Sequence, residues 1–466
     1  MKAFLWMTIA ITLGCKTPNP ERCCVDAADC ASQGLDEEMR TCAEGLACVA
    51  NECVVASCST QGCAASAPVC DIASDICEGC SDAADCARFA SEQVCDVGSG
   101  RCLQCLTPAD CGPTTPVCDA NACRGCSLDS ECESGACGDD GACIAATSVV
   151  YLDPSGTDTG DCTDSQPCRS VPFAVSRTNA ARSHLVMRTG VYAMTSFYEL
   201  GSQQTSAASL IFHGGGSSLV AAQYEGPKLL FSIPVTIRDL TISIEVGRGL
   251  SFATGARYVL ERVNIRANST GLEIEGDVTV RDFVLDVAPA RGGTIAVTLG
   301  SGAALTLERG SISGFATAIG SLEVVSIQAI NVLIHGANTR AVDLPQAQGS
   351  MSFVTIADSG TNTGDGPRAV ACGPSMTISG SIIWAPGTSA RVPVSGCNLV
   401  SSIAGPTPIA GIPNSDPRFV DAAARDYHLR SDSPAKDMVA AGPNVDFESD
   451  PRPRGTRFDA GADEAP

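Results

Sequence analysis

Between Cys23 and Cys143 the chain has one aromatic residue, Phe89, and no histidine, lysine, tryptophan or tyrosine. A segment so poor in large side chains cannot bury enough apolar area to offset the entropy of ordering it, which excludes a conventional core there. Basic charge is scarce everywhere: 30 Lys and Arg stand against 52 Asp and Glu, for a net charge of −22. The same segment carries 21 acidic and 4 basic residues, so it supplies −17 of that total. Such acidity disfavours nucleic acid as a partner. Beyond the first fourteen residues, no apolar run is long enough to span a bilayer.

Cysteine is plentiful instead, and its distribution is the main organising signal. The 27 cysteines divide as Cys15 alone, twenty-two from Cys23 to Cys143, then Cys162 with Cys168, and Cys372 with Cys397. Every group after the first is even, as disulfide-bonded modules require.

Residues 1–14, MKAFLWMTIAITLG, have one positive charge at Lys2 followed by apolar and hydroxyl residues, the form of a secretory signal. Ile11-Thr-Leu-Gly-Cys15 resembles the lipobox of bacterial lipoproteins, with Thr12 where that family favours Leu. The resemblance implies cleavage before Cys15, acylation of that residue, and an exported protein held on the outer membrane or cell surface through its acyl chains. Residues 15–22 then read as a lipidated tether.

Residues 23–145 read as a loop-dominated, disulfide-rich repeat module. Cys58, Cys63, Cys70 and Cys77 form one four-cysteine unit, and Cys80, Cys86, Cys95 and Cys102 a second. Cys105, Cys111, Cys118 and Cys123 form a third, and Cys126, Cys132, Cys137 and Cys143 a fourth. Two chemistries fit these spacings. Cys102-x₂-Cys105-x₁₇-Cys123-x₂-Cys126 matches a four-thiolate zinc site, yet Cys111 and Cys118 fall inside its loop. An oxidising compartment favours disulfides, whose connectivity the spacing leaves open. Acidic tags precede several cysteines: Asp26-Ala-Ala-Asp29, Asp82-Ala-Ala-Asp85, Asp110 and Asp129-Ser-Glu131. Calcium binding by these tags competes with a solvated acidic surface, which the absence of calcium-loop spacing favours. The module resembles cysteine-rich repeats of proteins exported by myxobacteria, which implies a stalk or contact module without catalysis.

From about residue 149 the composition turns to Ser, Thr, Gly, Val, Ile and Ala. Ile237-Arg-Asp-Leu-Thr-Ile242, Leu260-Glu-Arg-Val-Asn-Ile265, Val280-Arg-Asp-Phe-Val-Leu285 and Leu307-Glu-Arg-Gly-Ser-Ile312 superpose, with weaker members ending at Ile334, Ile356 and Ile382. The final residues are 23, 20, 27, 22, 22 and 26 apart, a solenoid period. Positions one and six are apolar throughout the four best units, and position four in all but the last. Positions two and three alternate in sign from unit to unit: Arg238, Glu261, Arg281, Glu308, and Asp239, Arg262, Asp282, Arg309. Parallel coils ~4.8 Å apart would set opposite charges side by side. A ladder of this kind serves register better than it serves one reaction centre. Cys372 and Cys397, about one coil apart, are expected to staple two late coils, and Cys162 and Cys168 to close a small loop near the start.

The ends of this region resemble right-handed parallel β-helix proteins of the pectin-lyase-like superfamily. The opening match is Val150-Tyr-Leu-Asp-Pro-Ser-Gly-Thr-Asp158, with Gln166-Pro-Cys-Arg-Ser170, Phe173-Ala-Val and Val186-Met-Arg-Thr-Gly-Val-Tyr192. The closing match is Asp416-Pro-Arg-Phe-Val-Asp421, Asp426-Tyr-His-Leu429, Asp432-Ser-Pro-Ala-Lys-Asp437, Asp450-Pro-Arg-Pro453 and Asp459-Ala-Gly-Ala462 with Glu464. The resemblance implies an all-β fold, a right-handed parallel β-helix solenoid over residues 149–466 behind the disulfide-rich module. Pro172 stands where the family continues its opening helix, so a helix near Phe173–Arg182 has to start there.

Superfamily enzymes cleave acidic polysaccharides with calcium and a basic residue or with clustered aspartates. This chain lacks the paired Asp-Asp and Gly-His-Gly of polygalacturonases, and its histidines, His184, His213, His335 and His428, are scattered. His213, beside Gly214-Gly-Gly216, reads as a surface strand-end residue, and Asp153 and Asp158 as turn formers with calcium as the competing role. No catalytic residue, metal ligand or cofactor is assigned. The expectation is a membrane-anchored, non-catalytic lipoprotein whose β-helix binds a polysaccharide or a surface protein. The competing expectation is a polysaccharide lyase or glycoside hydrolase on the same anchor.

Overall fold

The computed structural model describes residues 46–49, 52–55, 58, 62–194, 197–221, 229–245, 247–287, 295–360, 369–386 and 391–465. Their contacts form two compact units. One reaches Cys126 and includes Asp139–Ala142; the other comprises Ser127–Gly138 and the chain from Cys143 onward.

The first unit is built from antiparallel hairpins: Leu46–Val49 with Glu52–Val55, Val69–Asp71 with Ile76–Glu78, Val94–Asp96 with Arg101–Leu103, and Val117–Asp119 with Ala122–Arg124. In the last three, a cysteine on each strand faces its counterpart: Cys70 and Cys77, Cys95 and Cys102, Cys118 and Cys123. Neither bonds to the other. Each reaches upstream instead, giving Cys58–Cys70 and Cys63–Cys77, Cys80–Cys95 and Cys86–Cys102, Cys105–Cys118 and Cys111–Cys123. First bonds third and second bonds fourth in every one of these units. The turns are set by Asp71 and Asp96, which accept from the N–H two residues on and the serine hydroxyl three on. Covalent closure of loops 12 to 16 residues long replaces the missing apolar core.

The second unit is a parallel β-helix. Successive coils contribute a long strand to a 15-stranded sheet and a short one to a 9-stranded sheet. Leu210–Ala221, Val235–Ile244, Asp277–Val287, Ala304–Ser313, Ser326–His335 and Gln348–Ala357 are the long strands among the described residues. Their inward residues stack in register. One column runs Ile237, Leu260, Val280, Leu307, Ala329, Met351, Ile378. A second runs Ile242, Ile265, Leu285, Ile312, Ile334, Ile356, Ile383. The short sheet contributes Leu229, Leu250, Leu272, Val297, Ile319, Val342 and Val370. All are buried, and each large aliphatic side chain stabilises the fold by about 1.5–3 kcal/mol. The last member of the second column is Ile383, not the Ile382 expected from the repeat: the unit runs from Ile378 to Ile383 in the usual six-residue register, and the adjacent Ile382, also buried, packs with the closing segment.

The opening helix is short, Val171–Val175, with Pro172 in its first turn, where a missing N–H does no harm. It stops well before Arg182. Its neighbouring loop is closed by Cys162–Cys168, whose Cα atoms are 4.9 Å apart. At the far end a closing segment packs Leu429, Ala435, Ala460 and Ala465 on Ile382 and Ile403.

Candidate functional site

Positions one and four of the repeat both point inward, which a regular strand, alternating every two residues, cannot do. The structure resolves this at position three. Asp239, Arg262, Asp282 and Arg309 all have left-handed backbone, φ +50° to +53°, and the column continues through Asn331, Phe353, Gly380 and Ser401. One left-handed residue per coil bends the long sheet, returns position four to the core, and turns positions two and three outward together. Only glycine adopts this conformation without a steric penalty, so each of the other residues costs about 1–2 kcal/mol that stacking has to offset.

Their side chains offset part of it. Arg262 Nε and Nη2 donate to both oxygens of Asp239 at 2.7 and 2.8 Å, and Arg309 grips Asp282 the same way at 2.7 and 3.1 Å. At position two the pairs join into a chain: Arg238 to Glu261 at 2.9 Å, Arg281 to Glu261 at 3.4 Å, and Arg281 to Glu308 at 2.8 Å. Four arginines and four carboxylates neutralise one another along one half-buried face. In Arg262 and Arg309 the partner's hydrogen bond outweighs burial and holds the guanidinium above its ordinary pKa.

Both ends of this face are covered. At the head, Ser127–Gly138 lies across it: Arg238 Nη1 donates to the Cys137 carbonyl at 3.2 Å, and Asp129 Oδ1 meets His213 Nδ1 at 2.7 Å. His213 Nε2 in turn faces His184 Nδ1 at 3.0 Å. His213 is therefore a buried residue, a correction to its expected surface position; the segment over it comes from the fourth cysteine unit, 84 residues away. Burial opposes ionisation of Asp129, yet the His213 hydrogen bond and charge, the Cys137 N–H and Arg238 leave it below the ordinary carboxyl range.

At the tail, Arg452 is enclosed. It donates to the carbonyls of Gly461 at 2.8 Å and Asp463 at 2.6 Å, and to Asn331 Oδ1 at 3.3 Å. Its guanidinium lies over the Phe353 ring at 4.9 Å, and its Nε is 3.1 Å from Glu464 Oε2, an ion pair without hydrogen-bond alignment. The closing motif is thus a cap whose buried cation, Arg452, is acted on by the charges of Glu464, Asp446, Asp463 and Asp459 and covers the column at Asn331 and Phe353.

The other singled-out residues are distributed as follows. Cys15 and the Asp26/Asp29 tag lie outside the described residues. Cys372 and Cys397 are joined on adjacent coils, Cα atoms 5.3 Å apart. The zinc-spaced cysteines are taken up elsewhere: Cys102 bonds Cys86, Cys105 bonds Cys118 and Cys123 bonds Cys111. The acidic tags are local caps. Asp85 accepts from the Ser81 and Asp82 N–H groups, Asp110 from Leu106 and Thr107, and Glu131 from Ser127 and Leu128. Asp153 accepts from Ser155, and Asp158 from the Arg169 and Ser170 N–H groups, so both act as turn and loop fasteners. His335 packs on Tyr427, and burial drives its pKa down to about 4. His428 bridges Asp426 at 2.6 Å and Glu448 at 2.8 Å.

No known protein family matches the sequence, and no curated protein matches it. Among solved structures, the fold is similar to pectate lyase Pel9A, with a TM-score of 0.45 and 14% identity over 69% of this chain and 98% of that one. It is also similar to a rhamnogalacturonan lyase, with a TM-score of 0.30 and 10% identity over 59% and 90%. These are likenesses of architecture and bring no reaction with them.

Chemically, the charged face can donate and accept hydrogen bonds at coil spacing, but its arginines are already held by carboxylates. A groove of about 670 Å³ crosses the turns at Gly255, Gly276 and Gly302 and contains Glu275, Asp277 and Arg257. There too the arginine is paired, Arg257 Nε lying 3.1 Å from Asp277. Neither the contact of Asp129 with His213 nor the burial of Arg452 is legible in the sequence. For Asp129 the acidic-tag pattern was visible, but its partner was not; for Arg452 the Asp-Pro-Arg-Pro motif was visible without its buried role.

Proposed function

We propose that this chain is an exported lipoprotein, anchored through acylated Cys15, whose β-helix presents a non-catalytic binding face to a polysaccharide or a surface protein. The cysteine module serves as a disulfide-built spacer. The observation that carries this reading is the mutual pairing of Arg238, Glu261, Arg281 and Glu308 and of Asp239, Arg262, Asp282 and Arg309 across neighbouring coils. A general base or an electrostatic stabiliser has to change its bonding as charge develops. Side chains held in ion pairs with neighbours, two of them bidentate, are suited instead to a rigid, patterned surface, which binds at low entropic cost.

Intact mass of the protein extracted from membranes of its source tests the anchor: acyl mass on a chain beginning at Cys15 is expected, and an unmodified chain would refute it. Retention of the acyl-free protein on immobilised polysaccharides and cell-surface proteins tests the face. Retention weakened by Arg281→Ala is expected, and retention indifferent to that substitution would move the binding elsewhere.

A further inference from the structure

Beside the first coils of the β-helix lies a cavity of about 410 Å³, a volume within the range of small-molecule sites. Asp158, Arg169 and Pro172 line it on one side. Val191, Met194 and Tyr198, from the strands Val191–Met194 and Tyr198–Leu200, line it on the other. Arg169 and Asp158 are the charged residues of the lining. The ladder arginines are all held by carboxylates, whereas the Arg169 guanidinium and the Tyr198 hydroxyl have no partner among the described residues. We propose that this cavity binds a free α-amino acid with an apolar side chain, its carboxylate on Arg169, its ammonium on Asp158 and its side chain against Val191, Pro172 and Met194.

The backbone holds both charges in place before any ligand arrives. Arg169 directly follows Cys168, which is bonded to Cys162. The Cys168 N–H donates to the Tyr151 carbonyl at 2.9 Å, and the Cys168 carbonyl accepts from the Asp153 N–H at 2.8 Å. Asp158 is fastened to the same segment. Its Oδ1 accepts from the Arg169 and Ser170 N–H groups, both at 2.9 Å, and its Oδ2 from the Ser170 hydroxyl at 2.7 Å. A carboxylate has about four acceptor sites, so one is left for a ligand, on Oδ2. The two side-chain charges share the cavity without forming an ion pair with each other.

Charge decides the class of ligand. A simple anion would meet Arg169 but also Asp158, in a protein of net charge −22. A simple cation would meet Asp158 but also Arg169. An α-amino acid carries one charge of each sign on a single carbon and satisfies both while bringing no net charge. The planar guanidinium suits a carboxylate, and the Tyr198 hydroxyl adds a second donor for it. Val191 is apolar yet 61% exposed, so an apolar side chain laid on it removes both surfaces from water. The end of a polypeptide has only one of the two charges beside its Cα, which favours the free amino acid over a peptide. The cavity is separate from the ladder residues, and its occupancy does not depend on what the charged face binds.

Isothermal titration calorimetry of the acyl-free protein, disulfides intact, with L-leucine tests the site. Saturable binding with a Kd below about 10 mM is expected. N-acetyl-leucine, which lacks the ammonium, and leucinamide, which lacks the carboxylate, should each bind about tenfold or more weakly, since each loses a hydrogen bond between charged groups. Arg169→Gln should weaken leucine binding by a similar factor at an unchanged melting temperature, because the guanidinium holds nothing else in the fold. Absence of saturable binding by leucine, valine and phenylalanine overturns the proposal. So does binding of N-acetyl-leucine or leucinamide as tight as that of leucine, or an Arg169→Gln chain that binds leucine as the wild type does.

Discussion

Arg262 holds both carboxylate oxygens of Asp239, one coil away, although both residues have left-handed backbone. The pair joins two demands that usually conflict. The coil needs an unfavourable bend at this position, and neighbouring coils need a register mark on the surface. Alternating charge at the bend meets the second without glycine at the first.

A double-mutant cycle on Asp239→Ala and Arg262→Ala should give a coupling of about 0.5–1 kcal/mol that shrinks with added salt, since the pair is only partly buried. Arg309→Glu, which sets two carboxylates against each other at Asp282, should destabilise more than Arg309→Ala. Thermal or denaturant unfolding reads both; additivity of the two alanine substitutions would show that the ladder does not contribute to register.

The same bend at Ser401, φ +47°, has no charged partner on its side chain and is exposed. Ser401→Gly should therefore stabilise by about 0.5–1 kcal/mol, while Ser401→Val, β-branched, should destabilise. A glycine that weakens the fold would show that the bend is not strained there.

How much of this was legible beforehand follows from the same positions. The charge alternation and the apolar positions one, four and six were visible, because stacking repeats them in every coil. The bend between them was not, since Asp and Arg at position three carry no glycine signature. Disulfide connectivity was open because first-to-third pairing depends on hairpin geometry, and cysteines facing across Val94–Asp96 and Arg101–Leu103 would have suggested the wrong partner. The meeting of Asp129 with His213 and His184 depends on how a cysteine-unit segment folds over the first coils, and no local pattern encodes it.

Stability should also fall as the pH rises from near neutral into mild alkali. Burial alone would lower the pKa of His428, but hydrogen bonds to Glu448 and Asp426 outweigh it and raise the pKa to about 9 from 6.5. A raised histidine stabilises fully below its unfolded value and loses that contribution as pH rises through its folded value. The wild-type melting temperature should therefore drop relative to His428→Gln between about pH 6.5 and 9. Asp463, raised to about 6 mainly by burial, makes its own loss at lower pH, between about 4 and 6. Parallel profiles for wild type and His428→Gln above pH 6.5 would contradict the assignment.

In the cysteine module, Cys111→Ser should free one thiol, on Cys123, and peptide mapping of the wild-type protein should recover Cys80 with Cys95 and Cys86 with Cys102. Loss of the buried Cys86–Cys102 bridge should cost about 2–5 kcal/mol, because little else orders that unit. Recovery of zinc instead of disulfides would overturn the account of the module.

The central claim is that a face of mutually paired charges binds without breaking bonds. Its most direct test is to incubate the acyl-free protein with a panel of acidic and neutral polysaccharides, following both retention and chain cleavage. The account predicts binding to a polysaccharide or to a surface protein, with chain length unchanged and no new unsaturated or reducing ends. Accumulation of such ends, abolished by substitutions at Arg257, Glu275, Asp277 or the ladder arginines, would contradict it.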